Sequence, residues 1–125
     1  MVNRMAVTLV GARLTAVSPS IEDFADLSIK IGTVTRAEPN DGARSPALRL
    51  WIDFGPDGIK QSSAKVTDRY APDDLVGTQV AAVTGLEPLR VGGFRSDVLV
   101  IGALTPDGVV LLRPDGPVAD GSDVA

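Results

Sequence analysis

Residues 46–66 read PALRLWIDFGPDGIKQSSAKV, and this stretch decides the fold. Leu48, Leu50, Ile52 and Phe54 alternate with Arg49, Trp51 and Asp53, the period of two that marks a strand with one buried face. Gly55-Pro56-Asp57-Gly58 makes a turn, and a second extended run follows from Ile59 to Val66 around the polar centre Lys60-Gln61-Ser62-Ser63. Together they read as a hairpin with a basic and aromatic outer face. Trp51, on the polar side beside Arg49, is the odd member. Either that face binds something or it packs on a neighbouring subunit.

Upstream, Leu27, Ile29 and Ile31 alternate, and Val34 breaks the parity just after Gly32. A glycine at a parity break predicts a β-bulge there, bending one strand to serve two parts of a barrel. Residues 38–46 are a loop by every local signal and carry Arg44. Ser20 and Asp23 have capping-box spacing, and Ile21, Phe24, Ala25 and Leu27 give an apolar stripe, which predicts a short helix over Ile21–Ala25. Downstream, Pro72 with Asp73 and Asp74 opens a second short helix that Gly77 ends. The two aspartates are an acidic first turn rather than a metal pair.

Val80–Thr84 reads as a buried strand, residues 85–94 as a long loop with several apolar members, and the acidic tail from Asp115 as loosely held. Val98–Ile101 and Val109–Leu112 read as further buried strands joined through Pro106-Asp107-Gly108. Five or six strands with a helix between the third and fourth predict an all-β fold with short helices, a five-stranded OB-fold barrel. Residues 21–125 are expected to form it, with residues 1–20 an N-terminal extension, either an extra strand or a partly ordered arm.

Composition narrows the chemistry. At 125 residues the chain suits one domain with a real core. It has no cysteine and no histidine, so thiolate zinc sites and thiol nucleophiles are excluded and the commonest general base is missing. Ser62 and Ser63 beside lysines lack the strand-to-helix elbow of an activated serine. No glycine-rich phosphate loop points to a nucleotide-driven cycle. A non-enzyme without a cofactor is expected. Twelve Lys and Arg against sixteen Asp and Glu leave a net charge of −4, which disfavours generic nucleic-acid binding unless the cations gather on one face. No apolar run approaches the ~20 residues that span a bilayer, and Arg13 interrupts the one near the start. A cytoplasmic protein without membrane insertion is expected.

The segments LSIKIGTV (27–34), LRLWIDFG (48–55), IKQSSAKVTDRY (59–70), LVGTQVAAV (75–83) and FRSDVLVIG (94–102) resemble the stand-alone tRNA-binding-domain proteins, most of all those of the CsaA export-chaperone type. The similarity runs from about Ile21 to Val124. It implies an OB-fold, a homodimer whose interface the chain ends help to build, and no catalysis. It also implies unfolded or precursor proteins and secretion-pathway components as partners, with tRNA as the alternative, since the wider family binds the outside of tRNA. Where the family tends to show Asn-Phe-Pro-Pro-Arg, this chain has Gly85-Leu86-Glu87-Pro88-Leu89, and Arg90 partly replaces the missing charge.

Candidate sites follow. Trp51 with Arg49 makes a stacking platform for a base or an anchor in a dimer interface. Lys60, Ser62, Ser63 and Lys65 are placed to hold phosphate, or form a solvated strand face. Arg44, Arg69, Arg90 and Arg95 matter for tRNA only if folding collects them. Leu86, Pro88, Val91 and Phe94 are candidates for an apolar peptide groove, with anchoring into the protein's own core as the alternative for Phe94.

Overall fold

The computed structural model describes residues 18–125. The expectation for residues 1–20 lies outside that range, apart from exposed residues 18–20. In chain order the elements are α1 (Ile21–Ala25), β1 (Ser28–Pro39), β2 (Leu48–Asp53), β3 (Ile59–Ala64), α2 (Pro72–Leu75), β4 (Gln79–Thr84), β5 (Leu89–Val91), β6 (Phe94–Ser96), β7 (Leu99–Val100), β8 (Gly102–Thr105) and β9 (Gly108–Leu111). One strongly curled antiparallel sheet runs β3-β2-β1-β4-β7, and β5-β6 and β8-β9 are separate hairpins. This is the expected OB-like half-barrel, with α2 between the third and fourth strands.

Alternation builds the core. Leu48, Leu50 and Ile52 of β2 turn inward with Ala64 of β3 and Val80 and Ala82 of β4. Phe54, Val34, Val66, Leu75, Val98 and Leu111 complete the cluster. Each fully buried aliphatic side chain contributes about 1.5–3 kcal/mol, so a core with one phenylalanine suffices. Helix α2 drives Leu75 into that core, with the Ala71 N–H donating to Asp74 Oδ2 at 2.8 Å. Helix α1 carries the expected capping box, Ser20 N–H to Asp23 Oδ2 at 2.8 Å and Asp23 N–H to Ser20 Oγ at 3.3 Å, yet buries none of its residues.

The bend in β1 differs from expectation in position. Gly32 stays in register with Val80, and the shift falls between Val34, opposite Ile52, and Arg36, opposite Trp51. Thr35 is the extra residue. Gly32 serves a close approach instead. A Cβ there would lie 2.6 Å from Ile52 Cγ2 and 2.8 Å from Phe54 Cδ1.

The tail from Asp115 is not loosely held. The first half of β1 pairs with β4 and only the second half with β2, so one edge of the first half needs hydrogen-bond partners. The chain end supplies them. Ile31 N–H donates to Ser122 O at 2.9 Å, Gly121 N–H to Ile31 O at 2.7 Å and Val124 N–H to Ile29 O at 2.9 Å. Lys30 bridges to Asp123 at 2.9 Å and Asp57 at 3.4 Å, and Asp120 Oδ1 accepts from Thr33 Oγ1 at 2.6 Å and Gln79 Nε2 at 3.0 Å.

The expected loop at residues 85–94 runs into a hairpin, β5-β6, whose turn glycines Gly92 and Gly93 have φ of 59° and 80°. Two consecutive positive φ values are what a tight two-residue hairpin requires. The expected strand Val98–Ile101 is shorter and joins β4, while Gly102–Thr105 pairs with β9 through the expected Pro106-Asp107-Gly108 turn.

Candidate binding face of the barrel

The outward parity of β2 displays Arg49, Trp51 and Asp53, and that of β3 displays Gln61 and Ser63. The bulge at Thr35 changes the parity of β1, so Arg36 stands directly opposite Trp51. The Arg36 guanidinium lies 4.3 Å from the Trp51 ring centroid. Phe94, from β6, meets the same ring edge-on with centroids 5.3 Å apart and planes at 75°. Arg49 in turn lies 5.2 Å from the Phe94 centroid. Cation–π contacts of this kind contribute about 0.5–1 kcal/mol at exposed sites. The four side chains form a ladder, Arg36–Trp51–Phe94–Arg49.

Its charge is largely answered within the protein. Glu38 pairs with Arg36 at 2.9 Å and lies 3.9 Å from Arg49, and Arg95 pairs with Asp97 at 2.9 Å. The β5-β6 hairpin is held over the sheet by Gln61 Nε2 donating to Arg95 O at 3.0 Å and Ser63 N–H donating to Ser96 Oγ at 3.0 Å. Asp97 N–H donates to Gln61 O at 2.8 Å beside them.

The proposed site residues separate by parity. Ser62 is 1% exposed, paired with Leu50, and its hydroxyl has no partner among the described residues. It faces the core and cannot meet a ligand on the outer face. Lys60 shares that parity, opposite Ile52. Ser63 is on the outer side, and Lys65 is exposed beyond the end of β3. Arg44 and Arg69 line one open groove of about 770 Å³ with Tyr70, Pro46 and Pro72, and neither is ion-paired among the described residues. Asp41 and Asp68 line it too. Arg90 and Arg95 sit opposite each other on the hairpin.

Of the apolar candidates, Leu86 is 43% exposed and Pro88 is exposed, Val91 is half-buried, and Phe94 is 8% exposed against Trp51. Leu89, not among the candidates, is 66% exposed beside them. Arg36 and Asn40 were also missed. Arg36 carries no signal until the register of β1 against β2 is known. Among the described residues no acidic cluster could hold a metal ion and no helix is long and apolar enough to cross a membrane.

The curled OB-like barrel thus carries a stacked aromatic and basic outer face, a candidate binding face. The family model described as "Putative tRNA binding domain" matches residues 29–123, and the chain belongs to that family. Among solved structures, chaperone CsaA from Bacillus anthracis is 48% identical, with a TM-score of 0.82, over 87% of this chain and 100% of that one. The CsaA chaperone protein from Picrophilus torridus is 38% identical, TM-score 0.81, over 86% and 99%. Methionine–tRNA ligase of Salinibacter ruber is 42% identical over 89 residues, 71% of this chain and 12% of the ligase. The chain spans between 12% and 19% of the length of this and seven further methionine–tRNA ligases that it matches.

Proposed function

We propose that this chain is a non-catalytic, ATP-independent chaperone of the CsaA type, a cytoplasmic homodimer that holds extended apolar segments of unfolded or precursor polypeptides for export. The observation that carries the reading is the exposed run of Leu86, Pro88 and Leu89 leading into the hairpin whose Phe94 packs on Trp51. Arg36, Arg49 and Arg95 are ion-paired there, and exposed Arg90 donates to Gly93 O at 3.2 Å, so the face offers apolar and aromatic area more than free charge. Strand β4 supports the dimer, being apolar on both faces. Val80 and Ala82 fill the core, Ala81 on the other side is buried as well, and Val83 beyond it is half-buried opposite the exposed Leu99. Helix α1 lies on that side with Ile21, Phe24 and Leu27 exposed, forming a groove with Ile29 and Val124. A five-residue helix that buries nothing is not stable alone, and a second copy would cover it.

The test is suppression of aggregation of a denatured client at about one dimer per client. Leu86→Ser with Leu89→Ser is expected to abolish protection without unfolding the chain. No protection by the wild type, or full protection by the folded variant, would count against the reading.

A second reading, tRNA binding, is favoured by Arg44 and Arg69 lining one groove without ion-pair partners among the described residues. Replacing both with Ala should flatten the dependence of log affinity on log salt by about 1.5 to 2. Absence of tRNA binding at low salt eliminates it.

A further inference from the structure

At the root of the β1–β2 loop, Asn40 is a polar side chain only 4% exposed. Its Nδ2 donates to Ser63 Oγ at 3.1 Å and to Val91 O at 3.1 Å, and its Oδ1 accepts from Arg49 Nε at 3.2 Å. Its own backbone is fixed, with N–H donating to Ala47 O at 2.9 Å and C=O accepting from Ala43 N–H at 3.2 Å. One amide therefore touches β2, β3 and β5 from a fixed loop. Two residues on, the loop and the hairpin meet backbone to backbone, since a Cβ on Gly42 would lie 2.5 Å from Gly92 O.

We infer that Asn40 is the positioning residue of the outer face. It sets the guanidinium of Arg49 over Phe94 and holds the β5-β6 hairpin against β3, so that the Arg36–Trp51–Phe94–Arg49 ladder and the Leu86–Leu89 edge are pre-formed before anything binds. A binding surface ordered in advance avoids the cost of ordering side chains and loops on association. A buried amide has the reach for this, because each of its unmet hydrogen bonds would carry a desolvation penalty and the alternatives to this arrangement are correspondingly unfavourable. The inference rests on the outer face being the client surface, but its structural part is measurable without a client.

The experiment compares wild type, Asn40→Ala and Asn40→Asp. Asn40→Asp keeps an acceptor for Arg49 and loses both donated bonds, and it serves if Asn40→Ala does not fold. Amide exchange is read at Ser63 and Asp97, which are protected by hairpin docking, and at Val34, whose N–H donates to Thr78 O in the barrel wall. Both variants are expected to speed exchange at Ser63 and Asp97 about tenfold, the effect of losing roughly 1.4 kcal/mol of hydrogen bonding, while Val34 changes little. Client affinity should fall in both, and less in Asn40→Asp. Exchange that is unchanged, or that accelerates equally at all three amides, overturns the positioning role. Selective loosening together with a wild type that binds no client keeps the positioning role and overturns the chaperone reading alone.

Discussion

Ser62 and Ser63, neighbours in sequence, stand on opposite sides of the barrel wall. Ser62 faces Leu50 in the core with a hydroxyl unpartnered among the described residues, and Ser63 accepts a hydrogen bond from Asn40 at 3.1 Å on the outer side. An unmet buried hydroxyl costs the desolvation it never recovers, whereas a satisfied one contributes about 0.5–1.5 kcal/mol.

Ser62→Ala is therefore expected to leave stability unchanged or raise it by up to about 1 kcal/mol, while Ser63→Ala lowers it by about 0.5–1.5 kcal/mol. Urea midpoints at constant slope measure both. A clear loss in Ser62→Ala would show that its hydroxyl has a partner after all.

Trp51 is the chain's single tryptophan, so its fluorescence reports the ladder directly. Removing the guanidinium in Arg36→Ala uncovers one face of the ring and should raise acrylamide quenching, with a stability loss of about 0.5–1 kcal/mol. Unchanged quenching would mean that the stack is not populated in solution.

On the alkaline side, the attachment of the chain end should weaken only as Lys30 loses its proton. The hydrogen bond to Asp123 chiefly, then Asp57, holds the Lys30 pKa above its ordinary 10.5 against partial desolvation. A folded-state pKa above the unfolded one gives stabilisation that is complete below the ordinary value and lost as pH rises through the raised one. The Val124 methyl signals, followed from neutral pH through the lysine range, should stay constant until above 10.5. A transition well below that value would rule out Lys30 as the clamp. Lys30→Met should loosen the Gly121 and Val124 amides at neutral pH.

If the outer face of β4 and β7 is the dimer contact, Leu99→Glu places a charge in it. Sedimentation should then show the dimer weakened at least about thirtyfold, a loss of roughly 2 kcal/mol, with the circular dichroism unchanged. A variant that sediments as the wild type does would move the interface elsewhere.

Much of the fold is legible because its signals are local. The alternation Leu48-Leu50-Ile52, the Ser20–Asp23 cap and the Pro72 and Gly77 helix ends each act within a few residues. The Gly92-Gly93 turn is equally local, and two adjacent glycines are a hairpin signal in their own right. Grouping Lys60 and Ser62 with Ser63 and Lys65 also ignored the strand's period of two. The site was less legible. Phe94 reaches Trp51 only because β6 folds back over β3, and Arg36 reaches it only because Thr35 bulges.

The sequence by itself determined a small OB-type barrel with an aliphatic core, two capped helical turns and no thiol or imidazole chemistry, because period, caps and turn geometry are short-range preferences of the chain. Only the tertiary structure decided that Arg36, Trp51, Phe94 and Arg49 form one ladder, that Asn40 ties three strands together and that the chain end zips onto β1. Those contacts depend on sheet register and curl. Both are set by satisfying backbone hydrogen bonds and packing between segments far apart in the chain.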